Sequence, residues 1–281
     1  MEKAFEIINL NKAYKGFALK NVSLSLPKGY IMGFVGKNGA GKSTTMNCLL
    51  GITKADSGVL KIFDKNIGEL TAADKEKIGV VLDGCPFAEI LTVKDIAIIL
   101  SNIYKNWDGE KFDNLRRRFA LPKDKQIKDF STGMRAKLNI AVALCHNAQL
   151  LVLDEATSGL DPVVRDEILD ILQDFVQNEN NSVLISSHIT SDLEKICDYI
   201  AFIKDGEIVF VENKDDLLEK YAVIHCTNEQ FSQLDPSAVI SHKQNSFSTQ
   251  ALVLKDKISG EYVMDKPSIE DIMLYYTKEV Q

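Results

Sequence analysis

The run Gly36-Lys-Asn-Gly-Ala-Gly-Lys-Ser-Thr44 constrains the fold of this chain more than any other segment. It satisfies G-x-x-x-x-G-K-[ST] at Gly36, Gly41, Lys42 and Ser43, between a strand-like apolar run, Ile31 to Val35, and a helix-like run, Ser43 to Leu50. Strand, loop and helix in that order form a polyphosphate cradle. Glycine adopts the backbone angles that turn several N–H groups inward, and the following helix points its positive end at the same anion. The pattern predicts Lys42 on the outer phosphates and the Ser43 hydroxyl on Mg²⁺, with Asn38, Gly39, Ala40 and Thr44 completing the cradle.

A second half-site follows much later. Leu150 to Leu153 is a continuous apolar run, read as a buried parallel strand, and it ends in the adjacent carboxylates Asp154 and Glu155. In a doubly wound sheet, strand C-termini face the bound phosphates. Asp154 is therefore expected to hold Mg²⁺ through its water shell, and Glu155 to polarise an attacking water as general base. Acids at a strand end are common, but after a phosphate loop in the same chain they point to triphosphate hydrolysis.

Composition narrows the class. The 281 residues suffice for one large domain and a small appendage, and 45% hydrophobic residues can form a packed core. Apolar runs fall short of the ~18 residues that mark a membrane span. Met1-Glu-Lys-Ala-Phe-Glu-Ile7 lacks a secretory apolar region, so the chain is expected to be cytoplasmic. Cys48, Cys85, Cys145, Cys197 and Cys226 are scattered without metal-ligand spacing and read as small core residues in a reducing compartment. A net charge of −7 lacks the basic excess of a nucleic-acid binder, and the one compact basic run, Arg116-Arg-Arg118, reads as a solvated helix face.

Along the chain, Phe5 to Tyr14 and the alternating Val22-Ser-Leu-Ser-Leu26 predict a small antiparallel β-subdomain. Helical periodicity around Val93 to Tyr104 and Gly109 to Phe119 predicts an inserted helical subdomain, about residues 84–145. Alternating strand and helix signals from Gln149 to Ile203 predict a parallel sheet covered by helices, and Asp205-Gly206 reads as a hairpin turn. Asn213-Lys-Asp-Asp216 reads as a junction to a small α+β unit. That unit has strand candidates Tyr221 to Cys226, Ala238 to Ser241 and Ala251 to Leu254, then a final helix from Ser268 to Lys278.

In order, the phosphate loop, Ile78-Gly-Val-Val-Leu-Asp83, Phe130-Ser-Thr-Gly-Met134, the acidic strand end, Ser158-Gly-Leu-Asp161 and His188 resemble the six motifs of the ATP-binding subunits of ABC transporters. The resemblance covers roughly residues 1–212. It implies a P-loop NTPase of the α/β class, with a mixed, mainly parallel sheet, the antiparallel and helical subdomains, and residues 213–281 as an accessory α+β domain. It implies ATP as substrate, Mg²⁺ as cofactor, and a homodimer or heterodimer in which each ATP lies between the phosphate loop of one chain and the signature segment of the other. On that reading Ser131 and the Gly133 N–H meet the γ-phosphate across the interface, and Asp161 communicates between the two sites. His188 hydrogen-bonds the γ-phosphate, and Tyr14 stacks on adenine. Simpler structural roles stand beside these: a helix N-cap for Ser131, a cap for Asp161 ahead of Pro162, a strand-end tyrosine for Tyr14. His146, His225 and His242 match no motif and read as structural.

Three positions depart from the pattern. Asp83 replaces the glutamine of its loop, where a carboxylate still approaches Mg²⁺ but adds negative charge near the triphosphate. Phe130, Thr132 and Met134 replace the usual signature residues while Ser131 and Gly133 survive, and Ala156 stands where proline is common. With Lys42, Asp154, Glu155 and His188 present, a hydrolytically competent site is expected.

The resemblance also implies a separate transmembrane permease that selects the cargo and attaches this chain to the cytoplasmic face of the cell membrane. Pro267-Ser-Ile-Glu-Asp-Ile-Met273 resembles the terminal helix of drug, lipid and antimicrobial-peptide exporter ATPases, and Asp83 with Asp154 to Pro162 resembles the phenol-soluble modulin exporter subgroup. Phe87 and Ile90 either contact the permease or pack inside the helical subdomain. Met273-Leu-Tyr-Tyr276 is expected to pack on its own sheet. Two other classes remain beside the exporter: a soluble ABC ATPase of translation or DNA repair, disfavoured by a single phosphate loop and no sustained heptad, and a slow-turnover sensing module.

Overall fold

The computed structural model describes residues 2–82 and 84–277. Strands β1 (Lys3–Tyr14) and β2 (Phe17–Pro27) pair antiparallel, with Val22, Leu24 and Leu26 buried and Ser23 exposed between them, as alternation predicts. β3 (Ile31–Val35) runs through the phosphate loop into helix α1 (Lys42–Leu49). β4 (Ser57–Ile62) and β5 (Lys65–Asn66) complete a sheet of order β2-β1-β4-β5. Ser57-Gly-Val-Leu-Lys-Ile62 carries little alternation of its own and becomes a strand by pairing with β1.

After α2 (Ala72–Lys75) and β6 (Ile78–Val81), the helices α3 (Val93–Ile103), α4 (Gly109–Arg118) and α5 (Thr132–Ala143) occupy the stretch read as a helical insertion. α3 opens on a Thr92/Asp95 capping box and buries Val93, Ile96 and Leu100 at helical spacing. On α4, Arg116 pairs with Asp113 at 2.8 Å and Arg118 with Glu167 at 2.6 Å, so the basic run is an ion-paired outer face.

The chain then alternates through β7 (Leu150–Asp154), α6 (Pro162–Phe175), β8 (Ser182–Ser186), α7 (Thr190–Ile196), β9 (Tyr199–Lys204) and β10 (Glu207–Asn213). The central sheet has the order β10-β9-β3-β8-β7-β6 and is parallel except for the β9–β10 hairpin. β3, β7 and β8 are buried along their whole length, which is why they read as unbroken apolar runs. Their two-residue period divides the interior. Ile31, Val35, Leu151 and Leu153 face the helical side, while Met32, Phe34, Leu150 and Val152 face the antiparallel sheet.

At the expected junction, Asn213 ends β10 and, in the same residue, caps α8 (Lys214–Lys220), accepting from Asp215 N at 2.9 Å. β11 (Tyr221–Thr227), α9 (Asn228–Ser232), β12 (Val239–Gln244), β13 (Ser248–Leu254) and β14 (Val263–Asp265) build an antiparallel sheet of order β12-β13-β11-β14. The last helix, α10 (Ile269–Thr277), packs more widely than its tyrosines suggested. Lys243 of β12 lies over Tyr275, but Tyr276 sits among Phe202, Phe210 and Tyr221, and Ile269 and Ile272 share a core with α7. Lys278, the expected helix end, lies outside the described residues.

The five cysteines are free, four buried and Cys85 half-buried. Among the described residues no helix is long and apolar enough to cross a membrane.

Candidate functional site

The phosphate loop joins the C-terminal end of β3 to α1. Gly36 is held so close to β9 that a Cβ there would lie 2.5 Å from the Ile203 carbonyl oxygen, and Gly41 has φ 115° with Phe17 and Leu19 packed where a side chain would go. Gly41 is also the N-cap of α1, with no side-chain cap and no acid in the first turn. The helix start therefore presents uncapped N–H groups and positive dipole to the solvent side, where Lys37, Asn38, Gly39 and Ser43 are exposed. Thr44 is half-buried and Ala40 buried. Lys42 is 6% exposed and its Nζ donates to the Gly36 carbonyl at 2.8 Å. Burial pushes its pKa down, and the nearby Glu155 and Asp154 carboxylates work against that shift.

β7 and β8 deliver the acidic half. Asp154 is buried at the end of β7 and accepts a hydrogen bond from the Ser186 hydroxyl, while Ser186 Oγ accepts from Glu155 N at 3.0 Å. Glu155 has φ 52°, a left-handed conformation that a non-glycine residue keeps only when its surroundings impose it. That turn aims one carboxylate oxygen at Lys42 Nζ, 3.9 Å away, and the other at His188 Nδ1, 2.7 Å away. His188 is roughly half exposed just after β8. Lys42, Asp154, Glu155 and His188 thus converge at the C-terminal ends of β3, β7 and β8. Such a corner can hold a triphosphate by its outer oxygens and place a base beside it.

Among the described residues no three His, Cys, Asp or Glu side chains gather to form a metal cage. The donor set present, the exposed Ser43 hydroxyl and the Asp154 carboxylate, fits Mg²⁺, which takes few protein oxygens and completes its shell with water and substrate phosphate. Asp83 lies outside the described residues. Its neighbour Gly84 accepts from Asn139 Nδ2 at 2.8 Å, tying that segment to α5.

Other expected site residues stand apart. Ser131 is the exposed N-cap of α5, its Oγ accepting from Met134 N at 3.2 Å above the buried Phe130, and Gly133 is half-buried in the first turn. Asp161 caps α6, accepting from Val164 N at 3.0 Å with Pro162 at the first helical position. Among the described residues no hydrogen bond or ion pair links Ser131, Gly133 or Asp161 to the phosphate loop. Tyr14 ends β1, about half exposed, with Lys12 Nζ 5.4 Å from its ring centre. His146 is buried against Tyr104, His225 pairs with Asp265, and His242 lies on Phe231, all on other elements.

Several participants escape a motif reading. Ser186, which links Asp154 to Glu155, is visible in sequence only as the serine two places before His188. Asp56 accepts from Ala13 N at 2.7 Å and Lys12 Nζ at 2.9 Å, setting the strand end that carries Tyr14. Buried Thr157 and Asp192 and half-buried Arg165 join α6 to α7, with Asp192 Oδ2 3.3 Å from Thr157 Oγ1 and 3.7 Å from Arg165 Nε. Nothing in local sequence marks those contacts, since they are made across folded distance.

A family model described as ABC transporter matches residues 19–158. The ABC transporter ATP-binding protein YtrB of Bacillus subtilis (strain 168) is 34% identical over 220 residues, which are 78% of this chain and 75% of that one. The lantibiotic transport ATP-binding protein SrtF of Streptococcus pyogenes is 35% identical over 212 residues, 75% of this chain and 91% of SrtF. A solved ATP-binding subunit of an ABC transporter superposes with a TM-score of 0.68 at 23% identity, over 82% of this chain and 93% of that one. At that identity the structural likeness speaks for the P-loop α/β fold alone.

Proposed function

This chain belongs to the ABC transporter family of ATP-binding proteins, and from that premise we propose that it is the ATP-hydrolysing subunit of an exporter. ATP hydrolysis coupled to transport is the activity of the family. The finer reading is ours: two ATPase chains, identical or not, close head to tail on ATP beside a separate permease at the cytoplasmic face of the membrane. The cargo is a drug, a lipid or an amphipathic antimicrobial peptide, the last supported by the lantibiotic assignment of the relative SrtF. In this reading residues 1–212 form the ATPase domain, with its helical part at about 84–145, and 213–281 form an accessory domain.

One observation carries it: the Glu155 carboxylate is held between Lys42 and His188 by a strained backbone turn. Glu155 accepts a proton from the attacking water, the water oxygen bonds the γ-phosphorus, and the bond to the β–γ bridging oxygen breaks. Lys42 and the N–H groups at the start of α1 balance charge on the outer phosphates. His188 leaves Glu155 to hydrogen-bond the γ-phosphate. Mg²⁺ would be held by the Ser43 hydroxyl, by Asp154 through its water shell and by Asp83, and when bound would neutralise charge on the outer phosphates. Ser131 and Gly133 complete the γ-phosphate contacts from the second chain, Asp161 lies between the two sites, and Tyr14 stacks on the base.

The test is purification of the chain from detergent-solubilised membranes with its ATPase rate measured alongside. A stoichiometric polytopic protein in the purified complex, with ATP-dependent turnover, supports the exporter. Ribosomal or DNA-repair partners would replace it with the soluble reading, and absent turnover restored by Asp83→Gln would replace it with a sensing module.

A further inference from the structure

The short helix that follows His188 is held from outside the ATPase sheet. α7 has seven residues, too few to be stable alone, so its position is set by what it packs against. On one side Asp192 meets Thr157 and Arg165 of the ATPase core. On the other, three contacts come from residues 214–277. The Glu194 carboxylate accepts from the backbone N–H of Ile269, Lys214 Nζ donates to the Glu194 carbonyl at 2.9 Å, and Glu270 Oε2 lies 3.5 Å from Thr190 Oγ1. Beneath them Ile269 and Ile272, both fully buried, share a core with Leu193 and Ile196.

Glu194 occupies a particular place. α10 caps itself through Ser268 and Asp271, with Asp271 N donating to Ser268 Oγ at 3.0 Å, and among the described residues the N–H of Ile269 donates to Glu194 reaching across from α7. A carboxylate there also meets the positive end of α10. The nine residues of α10 span ~14 Å, and the far end bonds to β9. Lys204 Nζ donates to the Tyr276 carbonyl at 3.1 Å, and Thr277 borders a cavity walled by Lys37, Asn38, Gly39 and Ala40. One helix of the accessory region thus packs on the helix after His188 and, at its far end, borders a cavity shared with the phosphate loop.

We propose that residues 214–277 act as a strap on α7, with Glu194 the positioning residue through which α10 sets the place of His188 for hydrolysis. The proposal rests on the reading of His188 as the γ-phosphate contact. A strap of this kind governs the chemical step rather than capture of ATP, because the phosphate-binding N–H groups belong to α1.

The experiment compares full-length wild type, Glu194→Ala, Glu194→Ala with Lys214→Met, and His188→Ala, by kcat and KM for ATP and by amide hydrogen exchange over residues 188–197. We expect Glu194→Ala, which removes the acceptor for Ile269 N–H, to lower kcat on the order of tenfold, as small misplacements of reacting groups do. KM should stay unchanged, exchange in α7 should accelerate, and the double variant should extend both effects. Wild-type kcat in a variant whose α7 exchanges faster overturns the strap, as does slow exchange persisting in the double variant. Parallel loss of kcat and ATP affinity overturns it in favour of general unfolding. Full turnover in His188→Ala instead removes the reading on which the strap rests, a result distinguishable from the others.

Discussion

Lys42 and Ser131, expected to meet the γ-phosphate from opposite sides, sit in opposite surroundings. Lys42 is buried, bonded to a carbonyl of its own loop and within 3.9 Å of Glu155, so its charge is held in place by the chain itself. Ser131 is exposed at the tip of α5, and its hydroxyl serves the helix it caps. Asp161 repeats the second pattern at α6. The difference teaches that the chain itself fixes the charge of the first corner, whereas Ser131 and Asp161 bond only to the helices they cap. In the proposed head-to-tail dimer, a partner chain would complete that second corner. Preorganised charge in the first corner needs little rearrangement at the moment of reaction.

The largest expected effect lies in the first corner. Glu155→Gln should bind ATP yet hydrolyse it on the order of 10²–10⁴-fold more slowly, read as phosphate release in a single turnover beside nucleotide binding. Unchanged release would mean that the corner is not where water is activated. Next, Lys42→Met should weaken ATP binding by about 1.5–3 kcal/mol, the worth of hydrogen bonds to a charged group, measured by titration calorimetry. Ser131→Ala sharpens the contrast. It should cost roughly 1 kcal/mol of stability through the lost cap, leave ATP binding to the isolated chain intact, and lower only the turnover that rises with protein concentration. If ATP binding fell as it does for Lys42→Met, the two corners would not differ as described.

The smallest effect is a pH dependence. Burial lowers the Lys42 pKa in the folded chain below its unfolded value, so between the two values the unfolded state binds more protons and stability rises with pH. Below the folded value the buried charge disfavours folding. Nucleotide-free Lys42→Met should therefore unfold at a higher temperature than wild type near neutrality, and the gap should narrow as pH climbs toward the ordinary lysine range. A gap independent of pH would show that lost packing, rather than charge, separates the two proteins.

Legibility followed the same division. The phosphate loop and β7 were readable because their signals are local: glycine spacing in one, an unbroken apolar run ending in two acids in the other. His188 was readable only from its place in a series of motifs. Ser186 was missed because its importance lies in reaching β7 from β8. Asn213 reads as a polar junction because a residue that ends a strand and caps a helix has the composition of a loop. Phe87 and Ile90 were indistinguishable as apolar residues of one segment, yet Phe87 packs against the core and Ile90 is 72% exposed. Asp83 remains outside the described residues.

Sequence alone determined the chemistry available here: a polyphosphate loop, a pair of acids at a buried strand end, a histidine beyond the next strand, and an α/β order of elements. Those properties depend on residue type and on neighbours a few positions away, where periodicity and turn preference act. Only tertiary structure decided that Glu155 turns left-handed to face both Lys42 and His188, and that α10 packs on α7 as well as on its own sheet. Each of those outcomes depends on burial and hydrogen bonding between segments far apart in the chain, and no local preference encodes them.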